Sequence, residues 1–307
     1  MNRDKYIQKS KNGKRYCVVF PECIREPRRL GRYDTFQEAQ EARDEYLADN
    51  GYADSEKSAA DILTGKGNVI VGLYDLHYPY QDDKALSIVS EIIKDVKPDT
   101  VILSEVLDFY KLSRFSQDEK RANSVQTELD TWYDGAKELK STAKDANWYF
   151  IPGNHEYRLE SYLRLNPELS SLRVLELDSL LRLGELGITK AQEIQYLNKE
   201  LVWIHGNRYS VNPGSAVKSE AKTRGWQQSL IQGHEHKIGT FRQNGPLRCI
   251  RGYSVGCLCQ DAWYDSSTTF WERGAIVVTI HNGDFEAELI RIVDGCAVFR
   301  GKVYRPS

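Results

Sequence analysis

Short apolar runs of strand type alternate with helical periods along most of this chain. Tyr16-Cys17-Val18-Val19-Phe20 follows the turn at Asn12-Gly13, and a second strand-like run covers 30–33. Thr35-Phe36-Gln37-Glu38 has the form of a capping box. It opens a helix whose apolar side is Phe36, Ala39, Ala42, Tyr46 and Leu47, so a miniature domain of strands and one helix is expected over residues 1–50. Residues 51–66 are polar and rich in small side chains, the composition of a linker. From 67 to 307 the pattern predicts a larger α/β domain. Val69–Tyr74 reads as a strand, and Asp82 caps a helix with Ala85, Val89, Ile92 and Val96 on one face. Residues 100–103 form the next strand. Val125, Leu129, Trp132, Ala136, Leu139 and Ala143 then keep a helical spacing of three and four. Further strands are expected at 148–151, 201–204 and 229–232. Residues 247–303 are more continuously β, with a hairpin turn at Asn282-Gly283.

The strands end on a repeated chemistry. Five of the six histidines stand in motifs that close an apolar run: Asp75-Leu76-His77, Gly153-Asn154-His155-Glu156, His205-Gly206 and Gly233-His234-Glu235-His236. In open α/β sheets, functional groups gather at the carboxyl ends of strands. Imidazole, carboxylate and carboxamide converging there form a ligand set for borderline divalent cations. Their number suffices for two adjacent ions, an arrangement that clamps a phosphoryl group for in-line attack. The sixth histidine, His281, adjoins the Asn282-Gly283 turn and reads as a hairpin residue. Arg158 and Lys222 are candidates for phosphate contact, although solvated helix faces are the expectation for both. Trp263, Trp271, Tyr253 and Tyr264 suit either a cleft wall or the core, and the core is expected.

Charge changes the picture only locally. The formal net charge of −2 gives no global signal for nucleic acid or membrane. Residues 1–33, however, hold ten Lys/Arg against three acids. No apolar stretch approaches the ~18 residues of a membrane span, and the start at Met1 has no signal-peptide character. Six cysteines without zinc-ribbon spacing point to reduced thiols and a cytoplasmic setting.

The order and wording of the motifs resemble the calcineurin-like metallophosphoesterase superfamily over about residues 67–285. Its blocks read D-x-H, G-D-x-x-D, G-N-H-E/D, a lone H and G-H-x-H. The resemblance implies a four-layer αββα sandwich with two mixed sheets and a dinuclear phosphoesterase site. By position, Asp75, His77 and His236 would bind one metal, and Asn154, His205 and His234 the other. His155 would be the catalytic, non-ligand histidine, and Asp108 its orienting partner. One block departs: the family's Gly-Asp is Ser104-Glu105 here. The Asp is the bridging carboxylate, so Glu105 is expected to bridge or to bind one metal. Manganese is the expected ion, with Fe, Zn, Ni and Mg as alternatives. Residues 107–115 are also similar to phosphoesterases common in bacteriophage genomes.

Residues 13–19, 29–36 and 38–39 are similar to apetala/ethylene-response-factor DNA-binding domains, in which a three-stranded sheet enters the major groove. That resemblance implies a small N-terminal sheet-and-helix domain with Arg15, Arg25, Arg28, Arg29 and Arg32 as DNA contacts. A DNA-binding module fused to a phosphoesterase leads to the expectation of a DNA nuclease. Two alternatives stand beside it: a phosphomonoesterase or small-nucleotide phosphodiesterase, and a DNA-binding protein whose site is attenuated at Ser104-Glu105.

Overall fold

The computed structural model describes residues 7–9, 16–19, 29–35, 38–39, 62–65, 67–113, 123–244, 249–260 and 270–306. Chain contacts divide it into two compact units, Met1–Ser58 and Ala59–Ser307.

In the first unit, β1 (Ile7–Lys9), β2 (Tyr16–Val19) and β3 (Arg29–Tyr33) form an antiparallel sheet in the order β1-β2-β3. Cys17 pairs with Arg32 and Tyr16 with Tyr33, and the register slips between Val18 and Val19. The capping box is present. The Glu38 amide donates to the Thr35 hydroxyl at 3.1 Å, and the Thr35 amide donates to the Glu38 carboxylate at 3.2 Å. Arg32 is exposed and Arg29 lies in β3. Arg15, Arg25, Arg28 and the helical positions Phe36, Ala42, Tyr46 and Leu47 lie outside the described residues.

The second unit begins earlier than its composition suggests. Residues 62–64, expected inside a linker, form strand β4 (Ile62–Thr64). Then come β5 (Val69–Tyr74), α1 (Asp83–Val96), β6 (Thr100–Ser104), α2 (Val125–Thr142), β7 (Asn147–Ile151) and α3 (Glu156–Leu165). Next are β8 (Ile188–Lys190), β9 (Glu193–Tyr196), β10 (Leu201–Trp203), α4 (Ser215–Thr223) and β11 (Ser229–Gln232). The last strands are β12 (Ile238–Asn244), β13 (Cys249–Val255), β14 (Arg273–His281), β15 (Asp284–Val293), β16 (Cys296–Phe299) and β17 (Lys302–Tyr304). One sheet has six strands in the order β12-β13-β11-β10-β9-β4, and the other eight in the order β17-β16-β15-β14-β5-β6-β7-β8. Both mix parallel and antiparallel pairs.

Three apolar cores stack these elements into the four layers that the resemblance implied. α1 and α2 cover one face of the eight-stranded sheet through Ile88, Ile92, Leu129 and Trp132. Ile70, Ile102, Trp203 and Ile231 join the two sheets. Val217 and Ala221 of α4 close the outer face of the six-stranded sheet. Doubly covered strands need near-continuous apolar sequence, and all five residues of β6 are buried. The helix caps follow the sequence: Asp82 Oδ1 accepts from the Ala85 amide at 3.0 Å, and Ser124 Oγ from the Thr127 amide at 3.1 Å. The C-terminal β region does not form a separate layer. β14 pairs with β5 and sits inside the eight-stranded sheet. Asn282 and Gly283 adopt φ of 48° and 77°, the hairpin turn expected of that pair, with His281 exposed beside them.

Trp132 is fully buried, and its indole donates to the Leu181 carbonyl at 3.1 Å. Trp132→Ala should destabilise this unit by about 3–5 kcal/mol, read as a lower urea midpoint by far-ultraviolet circular dichroism.

Candidate metal centre

β5, β6 and β7 are parallel neighbours whose last residues align, with Tyr74 opposite Ser104 and Ser104 opposite Ile151. The motifs that follow them therefore leave the sheet side by side. β10 and β11 are parallel neighbours in the other sheet and deliver His205 and the Gly233–His236 turn. The two sets are tied directly, because the His234 amide donates to Asp75 Oδ2 at 2.9 Å.

The exits are sharp. Asp75, His77, Glu105, His234 and His236 have φ of 53°, 49°, 50°, 71° and 53°. Each non-glycine residue in this left-handed region costs about 1–3 kcal/mol and persists only where surrounding contacts impose it. Two glycines make the approach possible. A Cβ on Gly153 would lie 2.5 Å from Glu105 Oε1, and one on Gly233 would lie 2.5 Å from Asp75 Oδ2.

Within this cup, ligand atoms of Asp75, His77, Glu105 and His236 all lie within 4.8 Å of one another. The His77 and His236 Nε2 atoms face each other at 3.2 Å. Glu105 Oε2 stands 3.1 Å from His77 Nε2 and 3.5 Å from His205 Nε2, while its Oε1 accepts from the His155 amide at 2.8 Å. His205 Nε2 is also 3.1 Å from Asn154 Oδ1. His234 meets the group through its ring, 5.3 Å from that of His205. Glu105 thus stands between a half made of Asp75, His77 and His236 and a half made of Asn154, His205 and His234. Ser104 has its own task there, with its hydroxyl 3.1 Å from His205 Nδ1. That contact turns the other ring nitrogen of His205 toward Glu105.

The donor set fits divalent cations. Asp75 Oδ1 is buried without a hydrogen-bond partner, and a buried carboxylate oxygen requires one. Burial and the Glu105 carboxylate push the Asp75 carboxyl well above its ordinary range. Burial opposes charge on His77, but Glu105 and Asp108 outweigh it and raise the imidazole well above the usual value. His205 is pushed down to about 4 by burial, and His236 well below normal by burial and His77, so both imidazoles favour the neutral form in which they could bind a cation. Burial also opposes ionisation of Glu105, yet His205, His155 and His77 hold its carboxyl well below the usual range.

Beside the cup, His155 Nδ1 lies 2.8 Å from Asp108 Oδ1, and burial lowers its pKa. Its Nε2 is 2.9 Å from an Arg158 guanidinium nitrogen, and Arg158 also donates to the Asp108 carbonyl at 2.8 Å. Arg158 is therefore part of the site, which corrects its assignment to a solvated helix face. Its i+3 spacing from His155 on α3 was the available signal. Lys222 is exposed on α4, as expected. Trp271 packs edge-on against His236 with centroids 4.2 Å apart, so it is a wall of the site and not core. Tyr253 lies at the inter-sheet core, and Trp263 and Tyr264 fall outside the described residues.

Three supporting side chains are not singled out as site residues by the sequence alone, although Glu156 closes the Gly153–Glu156 motif. The buried Glu156 carboxylate accepts from the amides of Val106, Leu107 and Gly153 at 2.9, 2.8 and 2.8 Å, clamping the β6 and β7 exits together. Burial and Glu105 push it up to about 7. Glu128 on α2 accepts from the Phe109 and Tyr110 amides at 2.6 and 3.3 Å, and burial with Asp108 pushes it up to about 8. Lys237, buried beside His236, donates to Tyr209 Oη, the Ser210 carbonyl and the Val211 carbonyl at 3.1, 3.0 and 3.2 Å, pinning the loop after His205.

No family model matches the chain. It is similar to the Gene 54 protein of Mycobacterium phage L5, 24% identical over 249 residues, which cover 76% of this chain and 98% of that protein. The Gene 54 protein of Mycobacterium phage D29 gives the same figures, 24%, 76% and 98%. Among solved structures, Vps29 from Cryptosporidium parvum matches 75% of this chain and all of its own at 14% identity and a TM-score of 0.39. Chaetomium thermophilum Vps29 matches 78% of this chain and all of its own at 12% identity and a TM-score of 0.41.

Glu156→Ala should cost about 3–6 kcal/mol, because three buried amides lose their acceptor. The measurement is the urea midpoint, with Glu156→Gln expected to fall between the alanine variant and the parent. Cation binding must displace protons from His77 and Asp75, whose pKa values are raised. Affinity should therefore rise with pH through and above the ordinary histidine range. Titration calorimetry in buffers of different ionisation enthalpy should show net proton release.

Proposed function

We propose that residues 59–307 form a divalent-cation-dependent phosphodiesterase that cleaves DNA, and that the basic N-terminal unit brings DNA to it. The observation carrying this reading is the buried Glu105 carboxylate set between two groups of ligand atoms, with the His155–Asp108 pair alongside. Asp75, His77 and His236 would hold one cation and Asn154, His205 and His234 the other, with Glu105 shared. When bound, two such ions would supply Lewis-acid neutralisation of the phosphoryl oxygens and a template for in-line attack by water. Manganese suits the mixed oxygen and nitrogen donors.

The chain's own groups then divide the work. Asp108 accepts from His155 Nδ1–H and fixes the tautomer, which leaves Nε2 as the reactive nitrogen. Arg158 occupies that nitrogen in the resting site. An arriving phosphate offers the guanidinium a stronger, charge-assisted partner, freeing Nε2 to take up a proton from solvent and deliver it to the leaving sugar oxygen. Arg158 meanwhile places fixed positive charge where the oxyanion develops. Trp271 narrows the His236 side and limits water there.

Support for DNA comes from outside the metal centre. Ten Lys/Arg against three acids in residues 1–33 supply a salt-dependent attraction to phosphates, and Arg32 is exposed on a three-stranded sheet. A tethered binding unit raises the local concentration of phosphodiesters available to the second unit. Both curated relatives are phage proteins, in keeping with action in a bacterial host. Among the described residues, no helix is long and apolar enough to cross a membrane.

Purified protein with Mn²⁺ should cleave labelled single- or double-stranded DNA and hydrolyse an aryl phosphodiester. His155→Ala should lower both rates about 10²–10⁴-fold. Combined Arg15, Arg29 and Arg32→Ala should weaken only DNA cleavage and flatten its salt dependence. Intact DNA beside hydrolysis of the small diester would remove DNA as the substrate and leave the phosphodiesterase. No turnover of either would sink both.

A further inference from the structure

A thiol shares the metal cup. Ligand atoms of His77, His236 and Cys259 lie within 4.8 Å of one another, and all three residues are buried. The position of Cys259 is imposed by backbone bonds. The Leu258 amide donates to the Asp75 carbonyl at 3.1 Å, the Asp82 amide to the Leu258 carbonyl at 2.7 Å, and the Gln260 amide to the Tyr80 carbonyl at 2.8 Å. Cys259 also bridges to Gln81 across an antiparallel pair. The segment carrying the thiol is thus laced to the loop that carries Asp75 and His77. A second observation points to a ligand at the same place. Asp75 Oδ1, 3.8 Å from His236 Nε2, is buried without a hydrogen-bond partner.

We propose that Cys259 Sγ is a further ligand of the cation held by His77 and His236, making this half of the site selective for thiophilic ions. The inference rests on the reading of the cup as a cation site. A soft sulfur donor beside imidazoles favours Zn²⁺, Fe²⁺ or Co²⁺ over Mg²⁺ or Mn²⁺. It therefore alters the manganese preference that oxygen and nitrogen donors alone would set. Ligation exchanges the S–H bond for a sulfur–metal bond, and the proton leaves to solvent. A coordinated thiol is deprotonated outright by the ion's charge, so the apolar surroundings of Cys259 do not bar the exchange. Cys257, two residues away and also buried, is not in the ligand group; its thiol donates to the Cys259 carbonyl at 3.9 Å, and Cys257→Ser, which keeps a donor there, is the comparison variant.

The test is the absorption spectrum of the full chain titrated with Co²⁺. Visible ligand-field bands report a cation in any mixed donor site, and a near-ultraviolet sulfur-to-cobalt charge-transfer band reports a thiolate ligand. The parent and Cys257→Ser should show both. Cys259→Ser and Cys259→Ala should keep the visible bands and lose the charge-transfer band, with far-ultraviolet circular dichroism confirming that at least one of them folds. Zn²⁺ should also outcompete Mg²⁺ less strongly in the Cys259 variants. Visible bands without charge transfer in the parent, or a charge-transfer band that survives both Cys259 variants, would overturn the role of Cys259. Absence of any cobalt band in the parent would overturn the cation reading itself.

Discussion

The Glu105 carboxylate is the contact on which the functional half of the molecule depends. It is almost wholly buried, and an ionised carboxylate removed from water is tolerated only with close compensation. One oxygen takes the His155 amide, and the other faces His77 and His205 at 3.1 and 3.5 Å. Those partners come from the β5, β7 and β10 exits, so Glu105 couples the eight-stranded sheet to the six-stranded one. The apolar layer between the sheets brings the strand ends together. Glu105 and its neighbours make the meeting point polar and specific.

That meeting point is held open against considerable local cost. Five candidate ligands adopt left-handed backbone conformations, and the Asp75 and Glu105 carboxylates disfavour each other's charge. The offset comes from supporting groups that do no chemistry. Glu156 and Glu128 collect five amides between them, Ser104 orients His205, and Lys237 anchors the following loop. Buried donors left without acceptors would be expensive, so each support is specific to one arrangement of the loops. These bonds are made by the chain's own groups before any ligand arrives, and pre-positioned dipoles and charges are the most effective ones.

The substitution of Ser104-Glu105 for Gly-Asp reads differently in the structure than in the sequence. As a pattern it leaves a carboxylate expected to bridge or to bind one metal, with an attenuated site as the alternative. In place, the extra methylene of Glu105 is accommodated because Gly153 has no side chain to oppose it. The Ser104 hydroxyl fills the space beside His205 with a useful contact. The Glu105 carboxylate stands within 3.1 Å of His77 and 3.5 Å of His205.

Much of this was legible in the chain. Continuous apolar runs marked β5, β6, β7, β10 and β11, capping residues marked α1 and α2, and histidines at strand exits marked the cup, because these signals depend only on neighbours in sequence. Register and long-range approach do not. Nothing local shows that β14 inserts beside β5, that residues 62–64 join a sheet, or that Cys259 is laced against the Asp75 loop. Glu128 and Arg158 carry the polar composition of any exposed helix, and Glu156, though it closes the Gly153–Glu156 motif, gives no local sign of its three amide partners. Only the packing of α2 and α3 against the strand exits turns them inward, where Glu156 and Glu128 accept from amides that would otherwise lack an acceptor and Arg158 meets the His155 imidazole.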